Sequence, residues 1–467
     1  MARCRLKLTG VATSPTILEN QFRPTEWSAN LANQGGDQVA ESGKSGAEQE
    51  DGVAEAGTSA PALTGVRVLD LTQVLSGPFC TQMLADLGAD VIKVESPVGD
   101  IARSMPPHFV GPDSAYYLAI NRNKRSIVVD MKTPAGVDIV RRLALQCDIV
   151  IENFRPGVCE RLGLSAAKLR AEKPSLIWCS ISGFGQDGPY RNKPAYDIIV
   201  QAFSGGMSLT GEREGLSVRA GIPIADLSAG MFAATAVLAA LHRRTTTGRG
   251  ETIDISMLDC QAAMLVYQAS YYLLSGQVPG RQGREHDSIA TYRTFRAKDG
   301  IELVIAALTE RMWASLCRVL GCEELVRDPR FATAGNRSDN RAVLWPMLEQ
   351  RFLARTADEW TVELDAAGVP VGVVNTVDRV AADPQIAHRG MVVELRAEDG
   401  RRIEVMGDPF FMQETRRRSH SFPPIAGENT AAILGELLGL GGKEIADLID
   451  SGAVLPAGRA KAPAETD

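Results

Sequence analysis

Residues 66–95 read VRVLDLTQVLSGPFCTQMLADLGADVIKVE, and this stretch decides the fold. Two β-rich runs, Val66–Leu71 and Asp90–Glu95, enclose a segment with helical apolar spacing from Phe79 to Leu87. Gly88 follows that segment and can end the helix. A strand, a helix and a second strand in this order form a βαβ unit, in which the two strands run parallel.

The same alternation continues downstream, and it predicts an α/β fold with a Rossmann-like large domain, a parallel sheet and helices on both faces. A hairpin with an Asp-Gly turn between Tyr292 and Ala306, followed by helices, predicts a smaller α+β domain. The further strands predicted for the large domain are 126–129, 148–152 and 175–181, and its helices are 134–145, 226–241 and 257–274.

Composition shifts along the chain suggest its division into domains. Residues 1–61 lack a sustained apolar stretch and predict a flexible extension, for which a leader segment and a start codon assigned too early both stay open. The remaining limits are 62–260 for the large α/β domain, 261–283 for a linker, 284–388 for the small α+β domain, 389–455 for a return linker with the C-terminal part of the large domain, and 456–467 for a frayed tail.

The composition is that of a globular protein, with 45% hydrophobic and 23% charged residues among 467. A net charge of −7 argues against a protein that mainly binds nucleic acid or anionic membranes. The longest mainly apolar run, Ala229–Leu241, is shorter than the roughly 20 residues of a membrane span, so we expect no membrane partner. We expect a cytoplasmic protein, or a mitochondrial matrix protein if residues 1–61 are a leader.

The cysteines and histidines predict neither disulfides nor a metal site. Eight cysteines without a CxxC pair are typical of reduced, mostly buried thiols in a cytosol-like compartment. Five scattered histidines, with no HExxH motif, argue against zinc.

A glycine-rich motif, Gly183–Gly188, matches GxGxxG after a predicted strand. Pro189 and Pro194 stand where a dinucleotide-binding helix should begin, so we expect a loop with close backbone approach instead of a nicotinamide site. The chain contains neither a P-loop motif nor a GxSxG motif.

Polar and basic loops follow several predicted strands, at the sheet edge where open α/β sheets bind ligands. Arginine and lysine side chains interleaved with apolar residues suit a ligand that has phosphates and a flat base. These loops are 70–78, 121–126, 130–132 and 152–157, and the basic residues are Arg122, Lys124, Arg125, Lys132 and Arg161.

Together these loops make the chain resemble the class III CoA-transferases of the CaiB/BaiF type. The resemblance is collinear over roughly residues 63–424. It rests on VLDL, SGP and LADLGADVIKVE in the first βαβ unit, on NRNKRS and ENFRPG, on the segment Ala225–Gly230, and on the Lys-Asp-Gly hairpin. It implies a pocket for coenzyme A, present as an acyl-CoA substrate, a carboxylic acid as second substrate, and an interlocked homodimer.

The resemblance also implies roles for individual residues. The nucleophilic aspartate of the family falls on Asp226, and the tyrosine near the reacting thioester falls on Tyr196. The residues assigned to coenzyme A binding are Gln73, Leu75, Ser76, Val129, Asp130, Met131, Lys132, Asn153, Phe154, Arg155, Arg161, Tyr196 and Met257.

Two departures from formyl-CoA transferases bear on the substrate. A basic position that contacts coenzyme A there falls on Ser96, and a mobile glycine run falls on Gly283–Ile289, which is not glycine-rich. The sequence from His286 to Phe295 is closer to the dicarboxylate-using members, so we expect succinyl-CoA as donor and a short dicarboxylate as acceptor. Arg219 could pair with the distal carboxylate, and a plain surface arginine is the alternative.

The chemistry of CoA transfer supports a carboxylate at position 226. A carboxylate nucleophile conserves the thioester energy by forming a mixed anhydride and then an aspartyl-CoA thioester. Asp226 directly precedes an apolar helix, whose N-terminus favours an anion. The alternative is that Asp226 only caps this helix, because aspartate is a favoured cap.

Two other functions stay open at this point. An α-methylacyl-CoA racemase of the same superfamily needs a histidine in a His-Asp pair, and the matching pair here is Tyr196-Asp197. Tyrosine is a poor base near pH 7, since its reference pKa is about 10. A CoA-binding protein without transferase turnover is the other alternative.

Overall fold

The computed structural model describes residues 60–415 and 419–458. The predicted flexible extension lies outside the described residues except for its last two positions, and so does most of the predicted C-terminal tail. The predicted domain limits stay predictions.

The first third of the described chain alternates strands and helices, as predicted. Helix α1 begins three residues earlier than predicted, and Gly77 and Pro78 lie in its first turn, where proline's missing N–H costs nothing. A 3₁₀ turn covers Ile101–Ser104. The elements are β1 (Arg67–Asp70), α1 (Ser76–Asp86), β2 (Asp90–Glu95), β3 (Phe109–Val110), β4 (Asp113–Ser114), α2 (Ala115–Ala119), β5 (Lys124–Val129), α3 (Pro134–Gln146), β6 (Ile149–Glu152), α4 (Val158–Arg161), α5 (Ala166–Glu172) and β7 (Ile177–Ser182).

The middle of the chain is mainly helical. The single helix predicted over 257–274 is wrong, because the chain breaks after Ala263 and Val266 has a φ of +41°. Strand β8 was not predicted. The elements are α6 (Asp197–Phe203), α7 (Gly206–Leu209), α8 (Ile224–Thr247), β8 (Thr252–Ser256), α9 (Met257–Ala263) and α10 (Val266–Ser275).

A four-stranded antiparallel sheet and its helices follow, and the predicted hairpin is confirmed by the pairing of Tyr292 with Ala306. Phe295, Trp313 and Phe352 are buried in the core of this part. The elements are β9 (Glu285–His286), β10 (Ile289–Arg296), β11 (Glu302–Ala306), α11 (Glu310–Leu320), α12 (Glu324–Arg327), α13 (Ala334–Asp339), α14 (Arg341–Phe352), α15 (Ala357–Ala366) and β12 (Val371–Val373).

The last part of the chain returns to the large sheet. The predicted parallel sheet is confirmed for β5, β2, β1, β6, β7 and β8, but β15 pairs antiparallel with β5, so the seven-stranded sheet is mixed at this edge. The strand order is β15-β5-β2-β1-β6-β7-β8. The remaining elements are α16 (Val377–Ala381), α17 (Pro384–His388), β13 (Val392–Arg396), β14 (Arg402–Met406), α18 (Thr430–Leu438), α19 (Gly442–Asp450) and β15 (Val454–Leu455).

Helices cover both faces of the large sheet, because successive strand residues point to opposite sides. In β1, Val68 packs in the same core as Ala229 and Ala233 of α8. Its neighbour Leu69 packs in a second core with Ile139 of α3 and Ile433 of α18. Strands β1, β2, β5, β6 and β7 are buried on both faces, which is typical of the central strands of α/β proteins, whereas the edge strand β8 is partly exposed.

By length and composition alone, helix α8 could cross a membrane: it has 24 residues, and an 18-residue window within it has a mean hydropathy of 1.8. The expectation that no segment is long enough to span a membrane was therefore wrong, because helix α8 extends beyond the apolar run Ala229–Leu241 at both ends. Ala225, Ala229 and Val237 are buried in the sheet core, whereas Met231 and Phe232 are exposed. This packing is that of a core helix with one uncovered face.

The prediction of mostly buried cysteines is confirmed in the described part of the chain. All seven cysteines in the described part of the chain are free and buried. Within residues 60–415 and 419–458, no group of three or more His, Cys, Asp or Glu side chains is arranged to hold a metal ion.

Candidate active site

Loops from three neighbouring strands of the large sheet meet in one cavity of about 340 Å³. These loops follow β1, β6 and β7 at their carboxyl ends, where open α/β sheets bind ligands. The start of α8 and the start of α9 complete the wall. The cavity is lined by Gln73, Val74, Leu75, Ser76, Asn153, Phe154, Arg155, Ile181, Ser182, Gly183, Ala195, Tyr196, Asp226 and Met257.

The loops after β1 and β6 are joined by a reciprocal amide pair. Gln73 N donates to Asn153 Oδ1 at 2.9 Å, and Asn153 Nδ2 donates to Gln73 O at 2.8 Å. Phe154 N donates to Glu152 Oε2 at 2.8 Å, and this hydrogen bond fixes the backbone at the start of the loop after β6. Burial raises the pKa of Glu152 to about 7, against the hydrogen bonds from Ser180 and Phe154 that favour its ionised form.

Asp226 lies in the first turn of α8 and is not the helix cap. The helix begins at Ile224 and its N-cap is Pro223, which makes no side-chain cap. The Asp226 carboxyl accepts a hydrogen bond from the Ser76 side chain and faces the cavity. Burial raises the pKa of Asp226 to about 7, and the negative charge of Asp197 adds to the shift. The cap alternative is therefore excluded.

Asp197 fastens α6 to the start of α8. Its Oδ1 accepts from Ala225 N at 2.8 Å and its Oδ2 accepts from Gln201 Nε2 at 2.6 Å. Both carboxylate oxygens are thus engaged in positioning the turn that carries Asp226. The neighbouring Tyr196 is 74% exposed at the rim of the cavity.

Basic side chains surround the cavity mouth. An adjoining cavity of about 140 Å³ shares Arg155 with the first and adds Arg191 and Lys193. The Lys193 ammonium lies 4.1 Å from the centre of the Tyr190 ring. In the part of the chain that the structure describes, Arg155 and Arg191 have no acidic partner within 4.0 Å. These guanidinium groups are available to the phosphates of a ligand.

Nine of the predicted site residues are brought together by the structure, and five are not. Asp226, Gln73, Leu75, Ser76, Asn153, Phe154, Arg155, Tyr196 and Met257 line the cavity. Val129 is buried within the sheet, Met131 packs against the core, and Asp130 accepts a hydrogen bond from Lys132 N at 3.0 Å. Lys132 and Arg161 are exposed, and neither lines the two cavities. Coenzyme A contacts from these five residues stay a prediction.

The residues that bear on the substrate also lie outside this cavity. Ser96 Oγ donates to Gly99 O at 3.1 Å, and Arg219 Nη1 donates to Ala220 O at 3.0 Å. The His286 ring lies between two tyrosines, with centroid distances of 6.3 Å to Tyr267 and 5.6 Å to Tyr292.

Some cavity residues were not predicted. Val74, Ile181, Ser182, Gly183 and Ala195 line the wall. A Cβ at Gly183 would lie 2.2 Å from Ala195 Cβ, so only glycine fits there. The GxGxxG match had indicated close backbone approach at Gly183, and that prediction is confirmed.

A tyrosine was missed as well. Burial and the nearby charge of Asp226 raise the pKa of Tyr116 to about 12. The shift indicates that Tyr116 lies close enough to Asp226 to feel its charge, although Tyr116 does not line the cavity.

Residues 63–430 match the sequence model of CoA-transferase family III. The chain belongs to this family. Succinyl-CoA:glutarate CoA-transferase of Homo sapiens is 39% identical over 393 residues, which cover 84% of this chain and 90% of the human protein. Succinate--glutarate CoA-transferase of Agrobacterium fabrum is 41% identical over 384 residues, which cover 81% of this chain and 96% of that protein.

A solved structure supports the same family assignment. The crystal structure of a CAIB/BAIF family protein from Brucella suis has a TM-score of 0.75 and 40% sequence identity, and the match covers 81% of this chain and all of that chain. The predicted family is thereby confirmed. This CoA-transferase is an enzyme whose substrates are CoA thioesters and carboxylic acids.

Proposed function

We propose that Asp226 is the nucleophile of this CoA-transferase. The observation that carries the proposal is a partly buried carboxyl in the cavity wall, hydrogen bonded to Ser76 and placed in the first turn of a 24-residue helix. Desolvation makes a carboxylate more reactive once it is ionised, and the helix N-terminus can stabilise the oxyanion that forms on attack.

The reaction conserves atoms and charge through four attacks. The Asp226 carboxylate attacks the donor acyl carbon, which forms a mixed anhydride and releases the CoA thiolate. The thiolate attacks the aspartyl carbonyl, which forms an aspartyl-CoA thioester and releases the donor acid. The acceptor carboxylate attacks that thioester, and the released thiolate attacks the acceptor carbonyl of the new anhydride. The products are the acceptor CoA ester and free Asp226, with no net proton transfer.

The basic rim orients the substrate in this proposal. The thioester lies against Asp226 and the CoA phosphates lie toward Arg155, Arg191 and Lys193, which border the adjoining cavity. Arginine forms paired hydrogen bonds with phosphate oxygens, so this direction places the charged part of the ligand outside and the reacting carbon inside.

We propose succinyl-CoA as donor and a short dicarboxylate as acceptor. Two relatives at about 40% identity are named for succinate or succinyl-CoA and glutarate, which supports this pair. Arg219 makes no ion pair among the described residues and could take a distal carboxylate.

An acceptor screen tests the function. The purified protein is incubated with succinyl-CoA and a panel of mono- and dicarboxylates, and new CoA esters are identified by mass spectrometry. We expect a new ester that disappears in Asp226→Ala and persists in Asp187→Asn, an exposed carboxylate used as the matched control. Full activity of Asp226→Ala would refute the mechanism. Deuterium incorporation at the α-carbon of a branched acyl-CoA would indicate racemisation instead.

We also propose that the enzyme works as an interlocked homodimer. Large apolar side chains are exposed on three helices, including Phe203 of α6, Phe232 of α8 and Leu274 of α10, the last at 90% exposure. Exposed apolar faces of this kind mark interaction surfaces. Sedimentation equilibrium should give twice the chain mass of 50.1 kDa, and a monomer at micromolar concentration would refute the proposal.

A further inference from the structure

The loop that faces Asp226 contains an unusual backbone conformation. Val74, between Gln73 and Leu75 in the cavity wall, has a φ of +66°. A β-branched residue in the left-handed region is a genuine outlier, since its Cβ crowds the following carbonyl. Such a conformation persists only when its surroundings impose it.

A buried ion pair supplies that constraint. Asp100 Oδ1 accepts from Val74 N at 3.1 Å, and Asp100 Oδ2 lies 2.8 Å from Lys93 Nζ. Lys93 Nζ also donates to Thr72 O at 2.9 Å. Both side chains of the pair are fully buried. The pair therefore holds the loop on both sides of Gln73, through one hydrogen bond to the carbonyl of Thr72 and another from the N–H of Val74.

Both members of the pair stay charged at neutral pH. Burial alone would raise the pKa of Asp100, but the Lys93 ammonium holds it below its usual value. Burial alone would lower the pKa of Lys93, but Asp100, Asp70 and Glu95 hold it above its usual value. A charge-assisted hydrogen bond to Val74 N is stronger than one to a neutral acceptor.

The ends of the same loop are held by other groups. Asp70 Oδ1 accepts from Thr72 N at 2.9 Å, and Lys124 Nζ donates to Pro78 O at 3.0 Å. These contacts position the entry to the loop and the start of α1. The hydrogen bond from Val74 to Asp100 is the contact that acts on the strained residue itself.

We propose that Lys93 and Asp100 are positioning residues of the transferase, which hold Val74 in its left-handed conformation and so keep Gln73, Leu75 and Ser76 against Asp226. The proposal rests on the function of Asp226 proposed above. Neither member of the pair lines the cavity. Without the pair, Val74 relaxes to an extended or helical backbone and Ser76 loses its place beside the nucleophile.

The expected size of the effect follows from the strain at one residue. The left-handed conformation of a non-glycine residue is disfavoured by a factor of roughly 5 to 30, and glycine does not carry this penalty. Removing the pair should therefore lower the fraction of molecules whose loop is in the active conformation by about tenfold, and kcat should fall by the same factor. The same removal in a Val74→Gly background should lower kcat by less than about threefold.

The test is a double-mutant cycle between the pair and Val74. Replacing both charged residues together, as Lys93→Met/Asp100→Leu, avoids leaving one buried charge unpaired, and such apolar replacements are often neutral for stability. The replacement and Val74→Gly are made singly and together, and kcat for CoA transfer and hydrogen exchange of residues 72–76 are measured. The control is Arg337→Met/Glu310→Gln, an ion pair at 2.8 Å away from the cavity, in which the arginine is buried and the glutamate is exposed.

The outcomes separate the possible explanations. A loss of kcat that is rescued by Val74→Gly, with faster exchange at residues 72–76, supports the proposal, whereas the control pair should show neither effect. Equal losses in both backgrounds mean a merely structural role and overturn it, as does unchanged kcat in the double replacement. If the wild-type protein transfers no CoA, the proposed function fails, and the exchange rates alone then decide whether the pair holds the loop.

Discussion

Replacing Asp226 by asparagine should stabilise the protein, and the gain should depend on pH. The pKa of Asp226 is raised from its usual 3.8 to about 7, chiefly by burial. In the unfolded chain the carboxyl ionises near pH 4, whereas in the native state it stays protonated until about pH 7. The native state is thus favoured by this group only at low pH, and this contribution is lost as pH rises to about 7.

The size of the effect follows from the same values. A difference of about three pH units corresponds to about 4 kcal/mol at 1.36 kcal/mol per unit, and water that reaches the open cavity reduces it to roughly 2–4 kcal/mol. The free energy of unfolding of Asp226→Asn should therefore equal that of the wild type near pH 4. It should exceed the wild-type value increasingly up to about pH 7, and the difference should stay constant above that pH. Urea denaturation at several pH values measures it.

A substitution at a surface carboxylate provides the control for this experiment. Asp138→Asn removes a half-exposed carboxylate on α3 and reports the effect of losing one charge from the protein. The reasoning is refuted if the advantage of Asp226→Asn is the same at pH 5 and pH 8, or if it falls as pH rises. The same pKa predicts that kcat/KM of the wild type falls about tenfold per pH unit below pH 7, since only the carboxylate attacks.

Three further predictions follow from the cavity and its supports. Glu152→Gln should raise the free energy of unfolding at pH 8 but not at pH 4, because burial raises the pKa of Glu152 to about 7; urea denaturation that shows no such pH trend would contradict this. Gly230→Ala should destabilise by roughly 1–3 kcal/mol, because its Cβ would lie 2.7 Å from Ser76 O, whereas Gly435→Ala, with its nearest contact at 3.9 Å, should not; equal melting temperatures would count against the close packing of α1 and α8. Arg155→Ala should raise KM for the acyl-CoA about tenfold and change kcat less than about threefold in steady-state kinetics, and an unchanged KM would remove Arg155 from the phosphate site.

The local sequence predicts the βαβ units well, because strand and helix periods differ clearly there. The β-rich run Asp90–Glu95 and the segment with helical apolar spacing that forms α3 each fit only one type of element. Strand β8 was missed because Thr252–Ser256 is half exposed and follows directly on a long helix. No glycine or proline marks the break before α10 in the sequence, and the left-handed backbone at Val266 occurs at a β-branched residue that local propensity would not select.

The site is predictable as a set of loops, but not as a cavity. Gln73 and Asn153 belong to loops 80 positions apart, and only the order of strands in the sheet makes them neighbours. The order of strands is not contained in the local sequence pattern. The same limit explains why Val129–Lys132, on the far side of β2, was grouped with loops that lie closer to Asp226.

The position of the antiparallel strand β15 near the end of the chain affects how the protein folds while it is being synthesised. Ser126 N bonds to Asn429 Oδ1, 303 positions later, and β15 covers the outer edge of β5. At about 5–20 residues per second, a ribosome needs roughly 15–60 s to make that intervening chain. During this time β5 presents an unpaired strand edge to its surroundings, which favours aggregation. A nascent chain that stalls before Val454 therefore keeps that edge open and becomes a candidate for chaperone capture.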